Sequence, residues 1–100
     1  MESSALIVVI SSRAQKEIAL SWQWYEEREP ELGDRFVAAV RQKIGTISKD
    51  PEIFAIKHKP YREASVSVFP FLIIYKVNKR QRLVEIISVF HTARNPKRKY

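Results

Sequence analysis

The chain has 100 residues, 45% apolar and 29% charged, with two glycines and no cysteine. That length supports one hydrophobic core, so a single domain over 1–100 is expected; the composition is not that of a disordered segment, and no apolar run reaches the roughly 20 residues of a membrane span. Without cysteine there is no disulfide or thiolate metal site, and together with the lack of a signal-like start this places the chain in the cytoplasm as an expectation.

The net charge of +7 is unevenly placed, since residues 1–56 carry 7 basic and 9 acidic side chains and residues 57–100 carry 11 and 2. Charge concentrated in this way attracts a polyanion or an acidic protein segment, with a strong dependence on salt. If the second half is a sheet, its cations should collect beyond the strand tips at one end.

In chain order, Ala5–Ile10 is apolar and β-branched, which suits a first strand. Ser12 followed by Gln15 has capping-box spacing and predicts a helix start. Ala14, Ile18, Trp22 and Tyr25 then recur at helical intervals and should face a core, with Trp24 half-exposed. Pro30 breaks the helix, and a second one carries Leu32, Phe36, Val40, Ile44 and Ile47 on one stripe until Pro51 ends it near Asp50. The two helices should form an antiparallel hairpin.

Residues 51–60 have no period and read as a loop. From Tyr61, Ala64, Val66 and Val68 alternate with Glu63, Ser65 and Ser67, the pattern of a half-exposed strand. Pro70 belongs at a strand edge, a bend or the first residue of a strand; Phe71–Val77 reads as the central strand, Asn78–Gln81 as a turn, and Leu83–Phe90 as a last strand ending at His91. The polar, basic stretch to Tyr100 reads as a tail. The fold class is therefore α+β, a small antiparallel sheet packed on an N-terminal helical hairpin in the order β-α-α-β-β-β.

Candidate chemistry sits almost wholly in the basic half. Lys57, Lys59, Arg62, Arg94, Lys97, Arg98, Lys99 and Tyr100 could bind an anionic target or nucleic acid. Arg94 lies just past a strand, where a guanidinium can clasp a phosphate bidentately. His91 can exchange protons near neutral pH, or merely cap the sheet through a hydrogen bond to a neighbouring loop. The two histidines lack metal-ligand spacing, so neither a metal nor a cofactor is expected.

Several segments carry a resemblance: Trp24-Tyr25-Glu26-Glu27, Leu32-Gly33-Asp34-Arg35-Phe36, Tyr61-Arg62, Phe69-Pro70-Phe71, Ile73-Ile74-Tyr75-Lys76-Val77, Val89-Phe90-His91 and Arg94-Asn95-Pro96. In this order and spacing, over roughly residues 5–96, the chain resembles RelE/ParE-type toxins of bacterial toxin–antitoxin pairs. The resemblance implies a small sheet on a helical hairpin and a cognate antitoxin as partner. It also implies one of two activities. ParE-like members bind DNA gyrase; RelE-like members cut mRNA in the ribosomal A site, for which Arg94, His91 and Arg62 would be the catalytic groups here. RelE-like enzymes carry an arginine on the strand matching Phe71–Val77 where this chain has Leu72, so the ParE-like reading is preferred. A non-toxic basic nucleic-acid-binding domain is the third alternative.

Overall fold

The computed structural model describes residues 6–94 and 96–100. Ala5 of the expected first strand and Asn95 of the last motif lie outside them. The elements are β1 (Ile7–Ile10), α1 (Ser12–Arg28), α2 (Leu32–Lys49), β2 (Ile56–His58), β3 (Tyr61–Ser65), β4 (Phe71–Asn78), β5 (Leu83–His91) and a short 3-10 turn, Pro96–Arg98.

The strands form one five-stranded sheet in the order β1-β5-β4-β3-β2, with β4 central as its apolar run predicts. The α+β class and the helical hairpin stand, but the sheet is mixed. Because β1 is followed by two helices rather than a hairpin turn, it returns parallel to β5, pairing Ile7 with Leu83 and Ile10 with Ile86. The segment expected as a featureless loop contains β2, three residues paired antiparallel to β3; at that length an exposed edge strand leaves no period to read.

One face of the sheet packs on the helices. Ala14, Phe36, Val40 and Ile47 from the hairpin meet Ala64, Phe71, Ile73, Tyr75, Val84, Ile86 and Val89 from the sheet and Val66 from just beyond β3. Tyr25, Phe36 and Phe71 stack at one end of this core, with Phe36 and Phe71 centroids 4.8 Å apart. A register shift lets Val84, Ile86 and Val89 share that face: Ile74 pairs with Ser88 and Tyr75 with Ile86, leaving Ile87 between them unpaired. The buried Tyr75 hydroxyl donates to Pro51 O at 2.7 Å, and burial pushes it up to about 12.

Three local expectations give way to tertiary structure. The N-cap of α1 is Ser11, not Ser12, because its N–H donates to Ile86 O and holds it extended while its Oγ accepts from Ala14 N. Trp22 is 40% exposed rather than core, its indole N–H donating to Asp34 Oδ1 at 2.9 Å across the hairpin. The third strand stops at Ser65: Val66 N donates to Phe71 O, and the loop so closed turns Val68 outward at 96% exposure and φ 74°.

The hairpin is fastened by residues of the two N-terminal motifs. Glu31 caps α2 with φ 71° and no side-chain hydrogen bond, so the free N–H groups need another acceptor. Glu26 on α1 supplies it, Oε1 accepting from Gly33 N at 2.8 Å and Asp34 N at 3.3 Å. Gly33 allows the approach: a Cβ there would lie 2.5 Å from Trp22 O. Gly33→Ala should therefore force the helices apart and cost about 1–3 kcal/mol, as overpacking does; urea unfolding followed by circular dichroism checks this, and an unchanged midpoint would refute it.

Candidate functional site

At the C-terminal end of β5 the sheet faces a bonding deficit. β1 stops at Ile10, opposite Ile86, so the outer edge of β5 beyond that point has no strand beside it. Ser11 Oγ donates to Ile87 O at 2.7 Å, and Glu17, one turn into α1, takes the next positions. Its Oε1 accepts from Ser88 Oγ at 2.7 Å and from Val89 N at 2.9 Å. Glu17 is 8% exposed, and a carboxylate so enclosed needs countercharge. Arg13 Nε and Arg94 Nη1 approach its Oε2 at 3.4 and 3.5 Å. Arg13 also donates to the Arg98 carbonyl. The result is a groove lined by Arg13, Glu17, Phe90, Arg94 and Arg98, with three guanidinium groups to one carboxylate.

A second groove opens toward the helices and shares Arg94. Leu20, Trp24, Tyr25 and Phe71 line it together with His91. Leu20 and Trp24 are about half exposed, and the Arg28 guanidinium lies 3.5 Å from the Trp24 ring. His91 Nδ1 accepts from Ala93 N at 3.0 Å, a bond within its own turn rather than to a neighbouring loop, and the ring meets the edge of Phe71.

The other face of the sheet has no helix on it. Alternation puts Glu63, Leu72, Ile74, Ser88 and Phe90 there, outside the core shared with the hairpin. Residues 96–100 run across this face. Glu63, on β3, anchors them by accepting from the Tyr100 hydroxyl and pairing with Lys99 Nζ at 3.0 Å. Tyr100 stacks on both His58 and Tyr61, at 4.7 and 5.2 Å. Burial pushes the Glu63 carboxyl up, but hydrogen bonds from Tyr100 and Lys99 and the charges of Lys99 and Lys57 outweigh this and leave it below its ordinary value. The Tyr100 hydroxyl goes the other way, to about 12, first through burial and then through the Glu63 carboxylate.

The candidate residues are thus not gathered at one place. Arg94 and Arg98 meet at the end of β5, where Arg13 from the acidic half joins them; Lys57, Lys99 and Tyr100 surround Glu63; Lys59 lies toward the opposite end of the sheet. Lys97 is exposed in the short 3-10 turn. Arg62 points to the helix side with its side chain only 16% exposed, donating to Phe54 O at 2.7 Å and lying 3.8 Å from Glu52 Oε2; it ties down the 51–55 loop. Sequence reasoning missed Arg13, Glu17, His58, Tyr61 and Glu63. The first two had a signal in their i,i+4 spacing, and Ser88, one hydroxyl inside an apolar strand, implied a buried acceptor.

Two outcomes follow. Glu17→Ala should cost about 1–3 kcal/mol for each of the buried Ser88 and Val89 donors it strands, whereas Glu17→Gln, which keeps an acceptor, should cost less; equal losses in thermal unfolding would contradict this account. For Glu63 the folded pKa is depressed, so its contribution to docking residues 96–100 is present above the unfolded value of 4.5 and lost as pH falls through the lower folded one. At pH 7 the Tyr100 ring resonances in NMR should keep their stacking shifts in the wild type and lose them in Glu63→Gln.

Comparison with known proteins gives this geometry a context. The family described as the ParE toxin of the type II toxin-antitoxin system, parDE, matches residues 8–96. No curated protein matches the chain. Among solved structures, the chromosomal ParDE toxin–antitoxin system of P. aeruginosa is similar with a TM-score of 0.76 at 13% identity, over 89% of this chain and 98% of that one. The isolated E. coli RelE toxin gives 0.68 at 19% identity, over 93% and 90%. The toxin–antitoxin complex RelBE2 of Mycobacterium tuberculosis gives 0.65 at 17%, over 87% and 98%. At these identities the solved structures establish a shared fold, while the family match covers nearly the whole chain: it belongs to the ParE toxins of type II toxin–antitoxin systems.

Proposed function

We propose that this protein is a ParE-like toxin that arrests bacterial growth by binding a protein target in the cytoplasm, DNA gyrase first among the candidates, and is neutralised by a cognate antitoxin. The observation that carries this reading is the dispersal of the groups an RNA-cleaving site would need. Attack of a 2′-hydroxyl on the adjacent phosphate requires a base, an acid and cations around one phosphate. Here Arg62 is spent on loop carbonyls, His91 opens to the helix-side groove, and the Tyr100 hydroxyl is bound to Glu63. The middle of the open sheet face is apolar, with Leu72, Ile74 and Phe90.

What remains suits binding. Arg94 stands between a guanidinium-lined groove and an apolar one, half exposed, with a long contact to Glu17. A protein segment carrying a carboxylate beside an apolar side chain would use both grooves. One observation favours the RelE-like alternative: Lys57 and Tyr100 share the surroundings of Glu63 on the open face.

Purified protein added to a cell-free translation reaction should leave mRNA intact, and at micromolar concentration it should inhibit gyrase supercoiling. Cleavage within A-site codons would replace this reading with the nuclease. Arg94→Ala should relieve growth arrest with an unchanged circular dichroism spectrum, because Arg13 still faces Glu17; undiminished arrest would take Arg94 out of the target surface.

A further inference from the structure

A separate cationic surface lies at the other end of the sheet, where the β2–β3 connection and the β4–β5 turn come together. An open groove there is lined by Lys59, Arg62, Lys76, Asn78, Lys79 and Arg80, with Glu52 and Glu85 as its carboxylates. Lys76 pairs with Glu85 at 3.4 Å and Lys79 with Glu52 at 3.0 Å. Among the described residues, no carboxylate stands at ion-pair distance from Lys59, Arg80 or Arg82. The β4–β5 turn is a built feature: Asn78 Oδ1 accepts from Gln81 N at 3.0 Å, Asn78 Nδ2 donates to Gln81 Oε1 at 3.1 Å, and Arg82 N donates to Lys79 O. Arg82 sits at φ 54°, a left-handed position where glycine or asparagine would be at ease.

We propose that this end of the sheet binds the sugar-phosphate backbone of duplex DNA, with Lys59 on one rim of the groove, Lys79 and Arg80 on the other, and the Asn78 amide as a further donor. The composition of the groove selects this ligand. Among the described residues no aromatic ring lines it, so the bases of a single strand would have nothing to stack on. Its apolar content is confined to Ile56, Val77 and the Pro60 ring, too little for the buried anchor on which protein partners depend. Phosphates on a duplex require only cations and polar donors at an open, solvated surface, and contacts of this kind position a protein without reading sequence. The eight residues of β4, at about 3.3 Å each, separate this surface from Arg94 by roughly 25 Å, so the inference stands apart from the proposed target and can fail independently of it.

The test is fluorescence anisotropy of the full chain with a short labelled duplex at about 50 and 200 mM salt. Arg80→Glu and Lys59→Glu should each weaken binding by about tenfold or more and lower the slope of log affinity against log salt by about one for each phosphate contact removed. Arg41→Glu, on the exposed side of α2, makes the same change in net charge and should bind as the wild type does. Circular dichroism of the Arg80 and Lys59 variants should match the wild type, since both side chains are exposed. The proposal falls if the wild type does not bind the duplex at the lower salt. It falls equally if Arg80→Glu and Lys59→Glu bind unchanged, if Arg41→Glu loses as much as they do, or if single-stranded DNA or poly-glutamate binds as tightly as the duplex.

Discussion

A strand that outruns its neighbour leaves backbone donors with no ladder to join, and the arrangement of this molecule follows from how that deficit is met on β5. The Glu17 carboxylate takes the place of the missing strand for Val89 and Ser88. Because it is charged and enclosed, it must be paired, and the pairing draws in Arg13 from its own helix and Arg94 from beyond the strand. Arg13 in turn holds the backbone of residues 96–100 through Arg98. One buried acid thus fixes the start of α1 against the sheet, sets the position of Arg94, and directs the chain that follows β5. The groove with its excess of guanidinium groups is a consequence of closing a strand edge with a carboxylate rather than with another strand.

The two faces of the sheet solve different problems. Toward the helices, aromatic and β-branched side chains bury one another, and the register shift at Ile87 keeps that face apolar along the length of β5. On the far side Ile74 and Phe90 are also buried, at 0% and 1% exposure, although no helix lies over them. The chain that crosses this side is the 96–100 segment, held by Glu63 through two charge-assisted contacts and by ring stacking on His58 and Tyr61. Basic residues that could have formed a solvated tail are thereby partly neutralised, Lys99 by its pair with Glu63.

The motifs shared with the toxin family turn out to be chiefly structural. Tyr25 and Phe36 fill the core, Glu26 caps α2, Gly33 allows the helices to touch, and Asp34 receives the Trp22 indole. Such residues specify a scaffold, the same hairpin on the same sheet, rather than a target. What the scaffold presents is decided by Arg13, Lys59 and the turn Lys79–Arg82, which lie outside these motifs, and by Arg94 from the last of them.

Elements whose apolar residues repeat at a regular interval were legible from the chain alone. The α2 stripe of Phe36, Val40 and Ile47 is buried as its spacing demands, β4 is central as its continuous apolar run demands, and Pro30, Pro51 and Pro70 mark the breaks. Periodicity could determine these because it reflects a face turned away from water, a property of neighbours in sequence. It could not determine which groups from distant segments meet. The burial of Glu17 depends on where β1 stops along β5, the exposure of Trp22 on the angle between two helices, the outward turn of Val68 on a backbone bond to Phe71, and the docking of Tyr100 on a carboxylate 37 residues earlier in the chain. The sequence determined the layers and the stock of cations; tertiary packing alone decided which cations were neutralised and which were left for a ligand, because that choice is made by contacts between residues the chain does not place side by side.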